Sequence, residues 1–462
     1  MSCDRGRAKL CSNSYMPLAN TRCFQPGKKT LMAHLEQNEQ TEYRARASMS
    51  VHSSTTNSPQ LNLDVLFEVM RQIEQSGTLL QMMYTCRTLY EGGVPLLLAS
   101  HITIDVGTDL ERFRSFCRYV MEDVSRCRHM RALTINRSDP VRCWMTTGKW
   151  TAFEKEALLA LAYNVSDLEN LDIAYPSFFV DYRCSEAFQS LSNLKQLRIR
   201  NYCTISEQFL SLLKSPLRHL DVGFLGREDF IAIIRPHKEF LETLRVSCCK
   251  PPDIQEPLTV FSNVTSLHLT DAMVRNTDGP FLMQSFPSLR ELNVNNDTLT
   301  QSEQSPSEFR NLTDIRHASI AEQQRSGCGW PALEKLAGDI FWVYCLGATC
   351  PVRELRFENQ LRTKVDMHLA CCMVLLELAR PKQLYCSMDA YTQCKYYAYQ
   401  ILEVVGPTVQ KLELKIEDTD QRELREVLSN CPYHRLHALN RYPYPLNGST
   451  NRTRPTRGYS ST

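Results

Sequence analysis

No C-x-x-C pair occurs among the 19 cysteines of this 462-residue chain, so the usual zinc and dithiol-redox spacings are missing. Walker loops, G-x-S-x-G elbows and H-E-x-x-H segments are absent as well. No stretch reaches the roughly 18 apolar residues that a membrane-spanning helix needs, and the N-terminus lacks the apolar core of a secretory signal. A dominant charge is also lacking: 53 Lys and Arg against 51 Asp and Glu leave a formal +2, without the basic excess that nucleic-acid binding draws on. We therefore expect an intracellular protein in a reducing compartment, cytoplasm or nucleus. It should have no nucleic-acid, membrane, metal or cofactor partner. The N-x-S/T sequons at Asn164 and Asn263 are then chance matches.

What the chain does contain is apolar pattern. Its 43% hydrophobic and 23% charged residues are those of a globular protein, and its length suits two or three domains or one elongated array. The cysteines follow the same logic. Cys371 and Cys372 lie inside DMHLACCMVLLELA, where they read as small core hydrophobes. A thiol nucleophile needs a low-pKa cysteine beside a base, and no local signature singles out such a pair. Cys345, Cys350 and the Cys371–Cys372 pair would suit zinc only if they converged in space. Residues 1–58 show no sustained periodicity and end in a Ser/Thr/Asn/Pro stretch, and residues 441–462 hold arginine, proline and hydroxyls but no acid. Both ends are expected to be a disordered leader and tail.

Between them a hexamer recurs, L-x-x-L-x-[ILVF]. Its copies are MRALTI (130–135), LENLDI (168–173), LKQLRI (194–199), LRHLDV (217–222), LETLRV (241–246), VTSLHL (264–269), LRELNV (289–294), VRELRF (352–357) and VQKLEL (409–414). The second leucine returns almost evenly, at Leu171, Leu197, Leu220, Leu244, Leu267 and Leu292, with a spacing in the range of leucine-rich repeats. The last two apolar positions are two apart, so they share one face of a short strand. Helical patterns lie between the hexamers, at 206–214, 227–235 and 420–430, with Ser206 a candidate N-cap. Pro216, Pro287, Pro331, Pro351, Pro381 and Pro407 stand just before the strands, where proline ends a helix and favours an extended entry. Each unit leaves an apolar face that its neighbours must cover. The expected fold is thus α/β, a leucine-rich-repeat-like solenoid over about 94–440. The much longer interval from Leu292 to Leu336 holds either a degenerate unit or a loop leaving the solenoid. The asparagine usual three positions after the last apolar strand residue is replaced, by Cys249 after LETLRV and Pro176 after LENLDI.

Residues 59–93 form a separate helical module. Asn62 is a candidate N-cap, with Leu61 and Leu66 placed as a hydrophobic staple. Leu63, Leu66, Met70 and Ile73 make one stripe, and Asp64 suits the helix dipole. Gly77 breaks the chain and Thr78 can cap a second helix carrying Leu79, Met82, Met83, Cys86 and Tyr90, ended by Gly92–Gly93. The run LNLDVLFEVM, a break, then TLLQMMYTCRTLY resembles an F-box, all-α and just upstream of the repeats as in F-box leucine-rich-repeat proteins, fungal members in particular. Asn62 stands where the family often has proline, and Tyr90 where it often has tryptophan.

The resemblance implies a non-catalytic substrate-recognition subunit of an SCF-type ubiquitin ligase. Its partners would be a Skp-type adaptor, the cullin-based ligase core and a protein target. The adaptor-binding residues carried over are Leu61, Leu63, Asp64, Leu66, Val69, Leu79, Leu80, Cys86 and Arg87. On the repeats, the solvent-facing strand positions are Asp172, Arg198, Asp221, Arg245, His268, Asn293 and Arg356, flanked by Lys195, Arg218, Glu242, Arg290 and Arg353. They are expected to line a concave face and bind the target, and the abundance of arginine suits an acidic or phosphorylated ligand. The alternatives are a repeat scaffold with no ligase attached, and an enzyme using one reactive cysteine.

Overall fold

The computed structural model describes residues 62–416, apart from 74, 106–109, 137–151, 175–181, 201–208, 224–229, 248–257, 271–278, 296–305, 362–365, 389–399, 402 and 405–408. The expected leader, the tail and the helix at 420–430 lie outside these residues. From Leu63 onward the chain belongs to one compact unit.

Three helices come first, α1 (Leu63–Gln72), α2 (Ser76–Met83) and α3 (Arg87–Ala99). Two were expected. The second apolar stripe is cut by the turn at Tyr84–Thr85, whose N–H groups return to Leu80 O and Met82 O. Gln75, rather than Thr78, stands at the N-cap of α2. Gly92 and Gly93 end nothing; they lie inside α3 because other helices press on it there. A Cβ on Gly92 would sit 2.1 Å from the Phe67 ring, and one on Gly93 2.4 Å from Met83 Cγ and 2.6 Å from Met70 Cε. The glycines therefore cost helix propensity and permit close packing.

After α3 comes a parallel sheet of 12 strands in strict sequence order among the described residues. Its strands are β1 (His101–Asp105), β2 (Ala132–Asn136), β3 (Asn170–Ile173), β4 (Gln196–Ile199), β5 (His219–Gly223) and β6 (Thr243–Ser247), then β7 (Ser266–Thr270), β8 (Glu291–Asn295), β9 (Leu333–Gly338), β10 (Val352–Leu361), β11 (Gln383–Met388) and β12 (Lys411–Ile416). The helices between them are α4 (Leu110–Glu122), α5 (Ala152–Asn164), α6 (Tyr182–Gln189), α7 (Phe230–Ile234), α8 (Gly279–Ser285), α9 (Pro306–Ser326), α10 (Ile340–Leu346) and α11 (Asp366–Ala379). The repeat reading holds: α/β, one strand per unit.

The register explains why leucine recurs. Leu133, Leu171, Leu197, Leu220, Leu244, Leu267, Leu292, Leu336, Leu355, Leu384 and Leu412 are successive register partners, and all are buried. The apolar residues two places later form a second buried row, with Ile173, Ile199, Val222, Val246, Leu269 and Val294 on β3–β8. Burying each such side chain stabilises by about 1.5–3 kcal/mol, and one continuous core links these rows to Met70, Leu79 and Met83 of the first helices.

A second ladder stitches strand entries. From β2 to β8 the carbonyl of the residue before the strand accepts the N–H groups of two successive residues of the next unit. Glu169 O takes Lys195 and Gln196, Lys195 O takes Arg218 and His219, and Arg218 O takes Glu242 and Thr243. Arg290 O takes Glu334 and Lys335 in the same way, at 2.8 and 3.1 Å. After the long interval from Leu292 to Leu336, β9 therefore pairs with β8 in the common register, while residues 296–305 of that interval lie outside the described residues. The interval is long because it carries the 21-residue α9. Side chains ahead of the strands also bond from unit to unit: Asn193 Nδ2 donates to Ser166 O at 3.1 Å, Asn263 Nδ2 to Glu239 O at 2.6 Å, and Ser215 Oγ to Leu191 O.

The unit after β9 differs from the rest. Gly338, at φ 150°, passes so near β8 that a Cβ would lie 2.1 Å from Val294 O. Asp339 then caps α10, accepting from the Phe341 and Trp342 N–H groups at 2.9 and 3.2 Å. Every residue of α10 is buried, so its terminal carbonyls cannot reach water. Buried side chains of α9 satisfy them: Arg316 donates to Tyr344 O, Ser319 to Leu346 O, and Gln323 to Leu346 O and Gly347 O.

Candidate functional site

Two surfaces carry the residues singled out from the sequence. The first is the outward side of α1. Its inward side is held by Met70, buried, and by Leu66, Phe67 and Ile73, half-buried against the core. Because α1 packs one stripe on α3, Val65 and Val69, which lie off that stripe, stay in solvent at 52% and 46% exposure, while Leu63, on the stripe but at the first residue of the helix, is 43% exposed. Val65 and Val69, four residues apart, stand side by side on the outward face as a small apolar patch.

The predicted adaptor-binding residues divide accordingly. Leu63, Asp64, Val69, Cys86 and Arg87 are exposed, and Leu66 and Leu80 half-buried. Leu79 is a correction: at 3% exposure it belongs to the core, because α2 turns that position towards the buried side of the module. Leu61 lies outside the described residues. Arg87 is engaged by Glu91, its Nε donating to Oε1 at 2.7 Å one turn along α3. Val65 and Tyr84, the latter 77% exposed, had not been singled out. The signal for Val65 was its position off the Leu63–Leu66–Met70–Ile73 stripe.

The second surface is the outer face of the sheet. Parallel pairing sets Asp172, Arg198, Asp221, Arg245, His268, Asn293, Ala337, Arg356, Tyr385 and Glu413 in one row across successive strands. The structure thus brings together Arg198, Asp221, Arg245, His268, Asn293 and Arg356, the target-binding candidates, and adds Tyr385, which lies on a strand without a recognised hexamer.

Most of the arginines in and beside this row are not free. Arg200 Nη2 binds Asp172 Oδ2 at 2.5 Å, and Arg198 Nε lies 2.9 Å from Asp221 Oδ2 but outside hydrogen-bond geometry. In the flanking row Lys195 pairs with Glu169 at 2.7 Å, Arg218 with Glu242 and Arg290 with Glu334, both at 3.4 Å. In the central row acid and base alternate from Asp172 through Arg198 and Asp221 to Arg245, which sets opposite charges side by side at strand spacing. Much of the arginine abundance is inter-repeat charge pairing, so its reading as ligand-binding potential is corrected at these positions. Arg245 and Arg356 stand exposed without an ion pair among the described residues.

Burial governs titration here. The Asp221 carboxyl is pushed above its ordinary value by desolvation, against the pull of Arg198 and then Arg245. His268 is pushed down by burial and then by Arg245, so it is neutral near pH 7. Burial also pushes thiols up, Cys117, Cys345 and Cys386 to about 12 and Cys350 to about 11. These sulfurs are protonated and poor nucleophiles. Among the described residues no group of three or more His, Cys, Asp or Glu is arranged to hold a metal ion. Nor is any helix among them long and apolar enough to cross a membrane.

No protein-family model matches the chain, and no curated protein matches it. Among solved structures it is similar to a chain of the Rad7 and Elc1 complex in yeast, at 12% identity and a TM-score of 0.32. That match covers 89% of this chain and 99% of the other, a likeness too weak to bear on fold or function.

Proposed function

We propose that this protein is a non-catalytic substrate receptor of an SCF-type ubiquitin ligase, with α1–α3 docking on a Skp-type adaptor and the repeat sheet holding the target. The observation that carries this reading is the outward face of α1. Val65 and Val69 are exposed on the side of the helix away from its buried stripe, Leu63 is exposed at its first residue, and this is the segment whose sequence resembles an F-box. The module is coupled to the repeats, since α3 runs through Ser100 directly into the edge strand β1. Ubiquitin transfer would belong to other subunits, and the protein would work in the cytoplasm or nucleus.

The second reading is a repeat scaffold with no ligase attached. It draws on the inward half of α1, where Phe67 and Met70 pack against Gly92 and Gly93 as in any stabilising helical cap. Capture of a purified Skp-type adaptor by the full chain separates the two. Because Leu63 and Val69 are exposed, a Leu63→Asp, Val69→Asp variant should keep its circular dichroism and thermal midpoint while losing at least tenfold in adaptor affinity. Absence of wild-type capture, or equal capture by the variant, would leave the scaffold reading in place.

A further inference from the structure

Helix α9 is held to its neighbours through a polar seam. Among its described side chains the fully buried ones are Arg316, Ser319 and Gln323, whereas the apolar Leu312, Ile315 and Ile320 are only half-buried. A helix that buries so little apolar surface opens locally at low cost. The seam also holds a cation without an anion. Arg316 Nη1 donates to Tyr344 O at 3.1 Å, and the guanidinium carbon stands 4.9 Å from the Tyr344 ring centroid. The ionisable groups acting on Arg316 are the Tyr344 phenol and the Cys371 and Cys345 thiols, with no carboxylate among them. A buried charge left in this way is destabilising, and the site favours any anion brought beside it. One turn back along α9 stands Thr313, half-buried, with its hydroxyl oxygen 3.5 Å from that of Tyr344. Residues three apart are neighbours on a helix, so Thr313 and Arg316 flank the same tyrosine. Arg310 and His317, both exposed, lie three residues before Thr313 and four after it. Asp314, the one acid within a turn of Thr313, is exposed.

We propose that Thr313 is a phosphorylation site, and that its phosphate pairs with Arg316 and locks α9 onto α10. A protein kinase would supply the γ-phosphoryl group of a nucleoside triphosphate. The bond from that phosphorus to the bridging oxygen breaks, a bond to Thr313 Oγ1 forms, and the hydroxyl proton is released with the nucleoside diphosphate. Local opening of α9 presents the hydroxyl to the kinase, and closing returns the phosphate to the rim of the seam. There its charge of nearly −2 meets the guanidinium fork of Arg316 from within and Arg310 from the surface. Modification therefore tightens α9 rather than melting it. This site stands apart from the receptor reading, since neither α1 nor the outer sheet face takes part.

The full chain with phosphothreonine incorporated at position 313, compared with the unmodified chain by amide hydrogen exchange, tests the lock. Exchange over α9 from Arg316 to Ser326 should slow at least tenfold, while exchange over α1 stays unchanged. In Arg316→Gln the phosphate should slow α9 less than twofold, each variant being compared with its own unmodified form. Arg316→Lys keeps the charge without the fork and should show an intermediate effect, which keeps the pairing readable where the Gln variant does not fold. Unchanged or faster exchange in the phosphorylated wild type, or wild-type slowing in either variant, overturns the proposal. Access is read separately. A kinase that selects arginine three residues before its acceptor, supplied with ATP, should label Thr313 of the folded chain, as located by mass spectrometry. Absence of label at Thr313 overturns the proposal as well.

Discussion

Replacing Gly338 by alanine should open the unit built on β9 and α10, and the size of the effect follows from two separate costs. At φ 150° the residue occupies backbone space that side-chain-bearing residues rarely enter, worth about 1–3 kcal/mol. The new Cβ would also stand 2.1 Å from Val294 O and 2.9 Å from Val294 C. Both atoms are backbone of the neighbouring strand, so relief requires moving β8 against β9, about another 1–3 kcal/mol by comparison with overpacked cores. We expect about 4 kcal/mol in all. Gly327 supplies the control: φ is 65°, also left-handed, but nothing lies within 4 Å of its Cβ position, so Gly327→Ala should cost about 1 kcal/mol. Urea unfolding followed by tryptophan fluorescence of a Trp144→Phe, Trp150→Phe background reads the difference locally, because the other two of the chain's four tryptophans, Trp330 and Trp342, flank Gly338 and are 3% and 2% exposed. Long repeat arrays can unfold in stages, so midpoints of this signal are compared rather than extrapolated free energies. The Gly338→Ala midpoint should fall at least three times as far below wild type as that of Gly327→Ala. Coincident midpoints for the two variants would refute the claim that the close approach to Val294 dictates glycine here.

Leu79→Ala should destabilise the protein by about 2–5 kcal/mol, whereas Val69→Ala should change its thermal midpoint little, because Leu79 is core and Val69 is nearly half exposed; equal losses would contradict the division of the first helices into core and docking positions. Stability should also fall in mild acid through His237. That side chain is buried against Leu210 O at 3.1 Å, and burial pushes its pKa below the ordinary 6.5. The unfolded chain then binds the proton first, so the stability is fully present above about pH 6.5 and is lost as the pH falls towards the folded value. Thermal midpoints between pH 7 and 5 should show this slope in the wild type and a shallower one in His237→Gln.

Solenoid architecture was readable from the hexamers because two of their positions are set by strand geometry alone. A period of two places both apolar side chains on one face, and the near-even spacing from Leu171 to Leu292 leaves room for one return segment per strand. Prolines marked the strand entries for an equally local reason. The pattern missed β1, β9 and β11, because Ala99 and Ile102 replace both leucines before and in β1, Gly338 ends the β9 hexamer, and Pro381 and Cys386 bound that of β11, although each strand pairs in register with its neighbour. It also misread Gly92 and Gly93 as a helix end. Their demand for space comes from Phe67, Met70 and Met83, which belong to the two preceding helices, and no local rule reports that.

For the candidate sites the same boundary applies. Sequence alone determined which side chains stand on the outer sheet face, since alternation dictates facing. Only tertiary structure decided which of them are spoken for. Whether Arg198 or Arg218 is available depends on the register partner one strand away, and a charge has no fixed chemical role until its neighbour is known. Tyr385 meets the cations of Arg356 and Lys411 in that way, through pairing with strands that a whole repeat separates from it along the chain. On α1, hydropathy identified the helix, but the contact with α3 selected Met70 for the core and left Leu63, Val65 and Val69 in water. A helix shows every residue to some direction, and burial is conferred by what packs against it.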